Sequence, residues 1–343
     1  MNKPPSSLQA RFSDGKEMAL NNSMDEFDYD YEDPRESVNI DEEKAARTAL
    51  MKYMYVIVYS LVILLGLPLH TFVIYRIGKM PKTAVSILFL GLSVTDLVVI
   101  LSLPLHIISA WEGFTWQLPG ALCTACSYVM FLNMHATALL LASLSVVRSC
   151  RAFHRCWTPM VSQIVVAVAA IAAAFLSFST LLYRRAKSTP RGTVCSDAYP
   201  DRAREVAVAV FRFLAAWLCP CCVAFVSSCL VSLTKNVNRI KGTKGYAITR
   251  IMMVAYFLCW LPYHLFMLIR LHPTDDLPEN ILPVALPVST VLSFLNSCMN
   301  PIIYMFKGGI KMSWLQNAFQ NEEADREATS EQKEKLTLHD TSR

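Results

Sequence analysis

Charge is what this sequence has least of. Only 17% of its 343 residues are Asp, Glu, Lys or Arg, against about 25% in an ordinary soluble domain. Hydrophobic residues make up 54%, and the mean hydropathy is +0.35. The net charge of +5 is small, and the basic residues form no patch interleaved with aromatics, so no nucleic-acid partner is expected. No Cys-x-x-Cys is accompanied by a histidine at metal-ligand spacing, which excludes a zinc module. There is no His-Glu-x-x-His, no pair of carboxylates within an apolar run and no Ser and His in triad context, so no enzyme is expected. An internal repeat of the transporter kind is missing. So is a leader pattern, and no signal peptide is expected. No cysteine follows Cys298, which leaves the C-terminal segment without an acyl anchor.

What is present is apolar sequence in long blocks. Seven runs cover about 50–75, 84–110, 120–149, 160–183, 206–233, 248–271 and 280–305. Each is long enough to cross a hydrocarbon core of ~30 Å as a helix that satisfies its own backbone. The fold class expected is an all-α membrane protein, a seven-transmembrane helix bundle with an amphipathic cytoplasmic eighth helix. Residues 1–48 are polar, acidic and without a core, and are expected to be a disordered extracellular tail. The bundle occupies 49–305. At 306–319, Phe306, Ile310, Trp314, Leu315 and Phe319 recur at helical spacing, predicting a helix lying on the bilayer. The last segment, 320–343, reads as a disordered cytoplasmic tail.

Orientation follows from Lys and Arg in the short loops. The first, third and fifth loops carry Arg76, Lys79 and Lys82, then Arg151 and Arg155, then Lys235, Arg239, Lys241 and Lys244. The second and sixth loops have almost none. The fourth (Arg184, Arg185, Lys187, Arg191) argues the other way and is outvoted. The N-terminus is thus expected outside a plasma membrane and the C-terminus inside, which makes Asn21 of Asn21-Asn22-Ser23 a usable glycosylation acceptor. It also brings Cys123, at the start of the third run, and Cys195, in the fourth loop, to the oxidising side, where a disulfide between them is expected.

Polar residues inside membrane runs are costly, and each is a functional candidate. Asp96 is the only carboxylate deep within a run. Asn133, Thr137, Asn296, Ser297 and Asn300 stand at comparable depth, and the group could hold a sodium ion, order water, or simply bond helix to helix. No other cofactor is expected. Pro262 and Pro301 fall inside runs, where each removes a backbone hydrogen bond and permits a pivot. Trp260 could act as a lever beside the first. Tyr304 could swing from the second toward Arg148, which closes the third run.

Seven spans, the Cys123/Cys195 pair, Asp96, CWLP at 259–262 and NPIIY at 300–304 resemble a rhodopsin-like (class A) G-protein-coupled receptor. LNMHATALLLASLS (132–145), YRR (183–185), EVAVAVFRFLAAWLCP (205–220), FLCWLPYH (257–264) and NSCMNPIIY (296–304) are similar to chemoattractant receptors, in particular to those for complement anaphylatoxin fragment 5a. That resemblance implies a basic protein or peptide ligand outside, captured by sulfated Tyr29 and Tyr31. Arg212 would meet the ligand's C-terminal carboxylate, Arg184 and Glu205 would line the same mouth, and Tyr263 and Met130 would lie deeper. Arrestin, a G protein and the lipid bilayer are the partners implied.

The departures gather on the inner side. The family's acidic-Arg-aromatic triplet is Val147-Arg148-Ser149 here. Ser228 replaces a tyrosine, Arg155 a proline, His70 an asparagine and Ala170 a tryptophan. The last two are expected to weaken packing and the network around Asp96. Together they resemble the atypical type of complement receptor and imply weakened G-protein coupling, with ligand uptake or arrestin recruitment in its place. Thr329, Ser330, Thr337, Thr341 and Ser342 are the phosphorylation candidates. The alternatives are an ordinary signalling receptor for a formyl peptide or a chemerin-like protein, favoured by the apolar Leu286 at the mouth, and remotely a transporter.

Overall fold

The computed structural model describes residues 34–79, 82–152, 157–190, 192–233, 244–271 and 281–308. Tyr29, Tyr31, Asn21, Arg155, the helix expected at 306–319 beyond Gly308, and the tail phosphorylation candidates lie outside them. The chain falls into two units, Met1–Ala45 and Ala46–Arg343, and the site described below belongs wholly to the second.

Seven helical stretches are long and apolar enough to cross a membrane: Ala45–Lys79, Ala84–Trp111, Gly120–Cys150, Pro159–Tyr183, Arg202–Ser232, Tyr246–Leu271 and Val284–Met305. The elements are α1 (Pro34–Lys79), α2 (Ala84–Trp111), α3 (Gly120–Ala152), α4 (Pro159–Leu176) and α5 (Phe178–Tyr183), then β1 (Arg184–Thr189) and β2 (Gly192–Asp197). After them come α6 (Arg202–Phe213), a π turn (Leu214–Leu218), α7 (Cys219–Ser232), α8 (Lys244–Leu271) and α9 (Ile281–Gly308). Helix starts follow side-chain chemistry. Thr83 and Ser86 form a reciprocal capping box, Thr158 caps α4 ahead of Pro159, and the Asp201 carboxylate accepts from the Arg204 amide at 2.8 Å, each satisfying an orphan donor.

One expectation needs correction. Helix α1 begins at Pro34, inside the tail expected to be disordered. Residues 34–48 carry Glu, Lys, Ala and Arg, all good helix formers, and extending an existing membrane helix requires no new nucleus. The fourth loop is a hairpin. β1 and β2 pair antiparallel, with Arg184 opposite Asp197 and Ala186 opposite Cys195. Gly192 turns it at φ 116°, a conformation that costs glycine nothing.

The third span is the axis of the bundle, with 61% of its apolar window buried against 22% for the fourth. Leu88, Leu92, Met134, Leu144, Tyr256 and Trp260 pack in the main core. Ile171, Phe175, Leu101 and Phe225 stay outward, as lipid-facing residues do. The first two spans approach closely at Gly66, where a Cβ would sit 2.6 Å from Ile100 Cδ1. Prolines supply part of the glue. Pro301 cannot donate to the Ser297 carbonyl one turn back, and that carbonyl accepts from His70 Nε2 at 2.6 Å. Pro220 leaves the Ala216 carbonyl free in the same way, and Tyr256 donates its hydroxyl to it at 2.9 Å.

Candidate functional site: a chamber, a buried carboxylate and an arginine tether

At the hairpin end the bundle opens into a chamber of 310 Å³. Its wall is aromatic and apolar (Tyr55, Tyr59, Trp116, Phe131, Tyr263, Leu286). Tyr55 donates to the Pro287 carbonyl at 2.9 Å, joining the first and last spans across the opening. The disulfide Cys123–Cys195, with Cα atoms 5.6 Å apart, ties the hairpin to the top of α3. Two hydrogen bonds reinforce the tie: Trp116 N–H to the Thr193 carbonyl at 2.7 Å, and the Thr124 hydroxyl to the Arg184 carbonyl at 2.8 Å.

Charge sits at the rim in matched pairs. Arg184 lies 3.3 Å from Asp197 and donates through Nε to the Ser127 hydroxyl at 3.0 Å. Arg270, from α8, pairs with Glu205, from α6, and Arg202 stands 3.8 Å from the same carboxylate. Arg184, Arg270, Met130 and Tyr263 line the chamber, whereas Glu205 sits behind Arg270 and does not. Burial pushes the Tyr199 phenol up to about 12, so near neutral pH it remains an uncharged group beside Tyr183, 5.0 Å away. An exposed carboxylate or guanidinium entering the chamber therefore finds both a cation and an anion able to exchange partners.

Arg212 is not at the mouth. It is 2% exposed, its guanidinium lies 3.8 Å over the Phe131 ring, and its Nη2 donates to Thr180 at 3.1 Å. Phe131, over which the guanidinium lies, lines the chamber, and Arg212 itself does not. Its depth reflects the π turn that follows at Leu214–Leu218. One extra residue per turn rotates the preceding segment, so helical spacing alone misplaces its face.

Deeper, Asp96 is fully buried. It accepts from Asn133 Nδ2 at 2.9 Å and Asn300 Nδ2 at 2.8 Å, and His70 Nε2 stands 3.9 Å away. Of the expected group, Asn133 and Asn300 are thus joined to Asp96, and His70 stands beside them. The Thr137 hydroxyl, both side-chain atoms of Asn296 and Oδ1 of Asn300 are buried without a hydrogen-bond partner. An uncommitted amide oxygen on Asn300, whose nitrogen already bonds Asp96, is the kind of donor a hard monovalent cation takes, so this part of the group fits sodium. Trp260 lies above, buried, with Tyr263 5.9 Å away edge-on.

At the opposite end Arg148 reaches α8. It donates to the Tyr246 carbonyl at 2.6 Å and to the Thr249 hydroxyl. Ser149 donates to the Ser227 carbonyl at 2.9 Å, and Val147 is fully buried in the core. Ser228 spends its hydroxyl on the Ala224 carbonyl of its own helix and provides no bond across the bundle. Tyr304 packs on Phe89 at 5.0 Å. α8 and α9 continue through Pro262 and Pro301.

Sequence reading misjudged His70 and missed Tyr256 and Arg270. The first two had a signal, since a proline frees the carbonyl four residues before it and a polar side chain on a facing helix can take it. For Arg270 the signal was an acid-base match with Glu205 at the same outer level.

The family described as "7 transmembrane receptor (rhodopsin family)" matches residues 69–304, more than two thirds of the chain. Among curated proteins, "Chemerin-like receptor 1" of Rattus norvegicus is 29% identical over 299 residues, 79% of this chain and 80% of its own. "Chemerin-like receptor 2" of Mus musculus is 28% identical over 280 residues, 77% and 78%. The "C3a anaphylatoxin chemotactic receptor" of Danio rerio is 27% identical over 264 residues, 75% and 73%.

Proposed function

From the membership of this chain in the rhodopsin-like family of seven-transmembrane receptors, in its chemoattractant group, we propose that it is a plasma-membrane receptor for a chemotactic protein whose terminal segment enters the chamber. The observation that carries this is the chamber itself: an aromatic cavity of 310 Å³, with paired charges at its rim and a disulfide-tied hairpin over it. Such a shape holds a few residues of a peptide and reads one charged group. The N-terminus lies outside the cell, and Tyr29, Tyr31 and their acidic neighbours capture the basic body of the ligand.

Two ligands are in question. The stretches from 132 to 304 point to complement fragment 5a, while relatives named chemerin-like receptors favour chemerin. Saturation binding of each labelled protein to intact cells, with surface expression measured, decides between them. Saturable nanomolar binding by one identifies the ligand, and binding of neither removes both assignments. With the binding partner, Tyr29→Phe/Tyr31→Phe is expected to weaken affinity about tenfold. Unchanged affinity would remove the sulfotyrosine step.

Ligand entry would be relayed through Tyr263 and Trp260 to the Asp96 level, where Asn133, Thr137, Asn296, Ser297 and Asn300 would hold sodium with Asp96. A bound sodium ion supplies a positive charge that favours one packing of the spans. Val147, Ser149 and Ser228 leave the G-protein surface incomplete. Weak G-protein coupling, with arrestin recruitment or ligand uptake as the output, is the mechanism inferred.

A further inference from the structure

The two ion pairs at the rim are not equivalent. In each, the arginine is the more exposed member. Arg270 keeps 40% of its side chain exposed against 17% for Glu205, and Arg184 26% against 13% for Asp197. An entering group therefore meets more cation than carboxylate. The pairs differ in what is left behind when the arginine turns away. Among the described residues Asp197 has only Arg184 within ion-pair distance, and Arg184 is committed to Ser127 as well. Glu205 has a second cation, Arg202, at 3.8 Å, and Arg202 is itself anchored to the Leu271 carbonyl. Taking the partner from a half-buried carboxylate is costly when nothing replaces it. Arg184 is thus fixed in place, and Arg270 is free to exchange.

Arg270 also stands at a defined height. It is next to the last residue of α8, and Tyr263, earlier on the same helix, lines the chamber too. Two turns separate them, a rise of about 10 Å. A peptide that enters extended advances about 3.3 Å per residue. When its end rests by Tyr263, the residue about three positions back is level with Arg270. The last span offers Leu286, Pro287 and Thr290 to the chamber, and none of them is an acid. Arg184, Arg202 and Arg270 stand against Asp197 and Glu205, which leaves one positive charge over.

We propose that Arg270 is a specificity-determining residue, which leaves Glu205 to Arg202, takes a carboxylate side chain about three residues before the end of the entering segment, and rejects a lysine or arginine there. This rests on the reading of the chamber as the seat of a peptide end. The guanidinium gives a carboxylate a charge-assisted, two-pronged bond. A basic side chain at the same height meets Arg270 first and finds Glu205 covered, so repulsion contributes to the discrimination alongside attraction. A basic body captured by the acidic tail and an acidic residue in the entering segment are separate demands on one ligand.

The probe is a fluorescent library of short synthetic peptides with free C-termini, randomised over the last several positions. It is sorted on intact cells displaying the full-length receptor at measured surface density. On the native receptor the bound pool is expected to be enriched at least about tenfold in Asp or Glu over Lys or Arg at a position about three from the end. Arg270→Gln is expected to remove that preference. Glu205→Arg/Arg270→Glu keeps an ion pair between α6 and α8 with its sign reversed and is expected to invert the preference; it stands in should Arg270→Gln fail to reach the surface. Binders without a charge preference at that position would overturn the proposal and leave the chamber a peptide site. So would a preference that survives Arg270→Gln. An equal loss on Arg270→Gln for peptides with and without the acid would assign Arg270 to the terminal carboxylate and overturn the proposal as well. A library that yields no binder to the native receptor would remove the peptide reading of the chamber itself, and this inference with it.

Discussion

The double variant Cys123→Ala/Cys195→Ala is expected to lose at least about 100-fold in ligand affinity at equal surface expression, roughly 2.7 kcal/mol. The disulfide closes a sequence separation of 72 residues, for which chain entropy alone would give about 4 kcal/mol. That figure overstates the effect here, since the intervening fourth span is held by the bilayer with or without the bond. What the bond controls is the hairpin. Without it β1 and β2 are held over α3 by the Trp116–Thr193, Thr124–Arg184 and Arg184–Ser127 hydrogen bonds, each worth about 1 kcal/mol net, while the Arg184–Asp197 pair holds the two strands to each other. These bonds are few and weak beside the covalent tie, so without it the cover and one rim arginine of the chamber become mobile together. Removing both cysteines avoids a leftover reactive thiol. Binding to surface receptors, normalised to an epitope tag, is the measurement. Affinity within threefold of native would mean that hydrogen bonds alone hold the cover.

How much of this was legible beforehand depends on the kind of signal. The spans were, because a bilayer demands long apolar runs and the chain has seven. The Asp96 group was too, since buried polar residues in lipid must find each other and Asn133 and Asn300 do. The hairpin was not. RRAKST has no apolar alternation, and its strand is imposed by a turn at Gly192 and by the bond to α3. Nor was the depth of Arg212 legible, since a π turn breaks the helical period right after it. His70 looked like a defect because its new partner, the Ser297 carbonyl, exists only through a proline on another helix.

The inner face carries the second large prediction. Val147→Asp/Ser149→Tyr/Ser228→Tyr is expected to gain about tenfold or more in ligand-driven G-protein activation over the native receptor. In the native chain Arg148 is held to α8 by the Tyr246 carbonyl and the Thr249 hydroxyl. It is therefore restrained without the missing acid, and loss of Val147's acidic counterpart does not by itself free it. Ser228 is exposed and bonds its own helix, and only a 30 Å³ cavity separates Arg148, Ser228 and Thr249, so a tyrosine at 228 can extend along the surface toward the arginine. Val147 is the harder change, because a carboxylate there is fully buried and must pair with Arg148 to avoid a penalty of several kcal/mol. Ser149→Tyr/Ser228→Tyr serves as the variant that avoids it. Thr249→Ala separates restraint from surface. If the docking surface is what the chain lacks, loosening the tether in the native background leaves basal G-protein activity unchanged, while in the restored background it raises it. Strong activity from Thr249→Ala alone would mean that the tether, and not the docking surface, limits coupling. No gain in either restored variant would remove the proposed weakening of coupling by the three replaced residues.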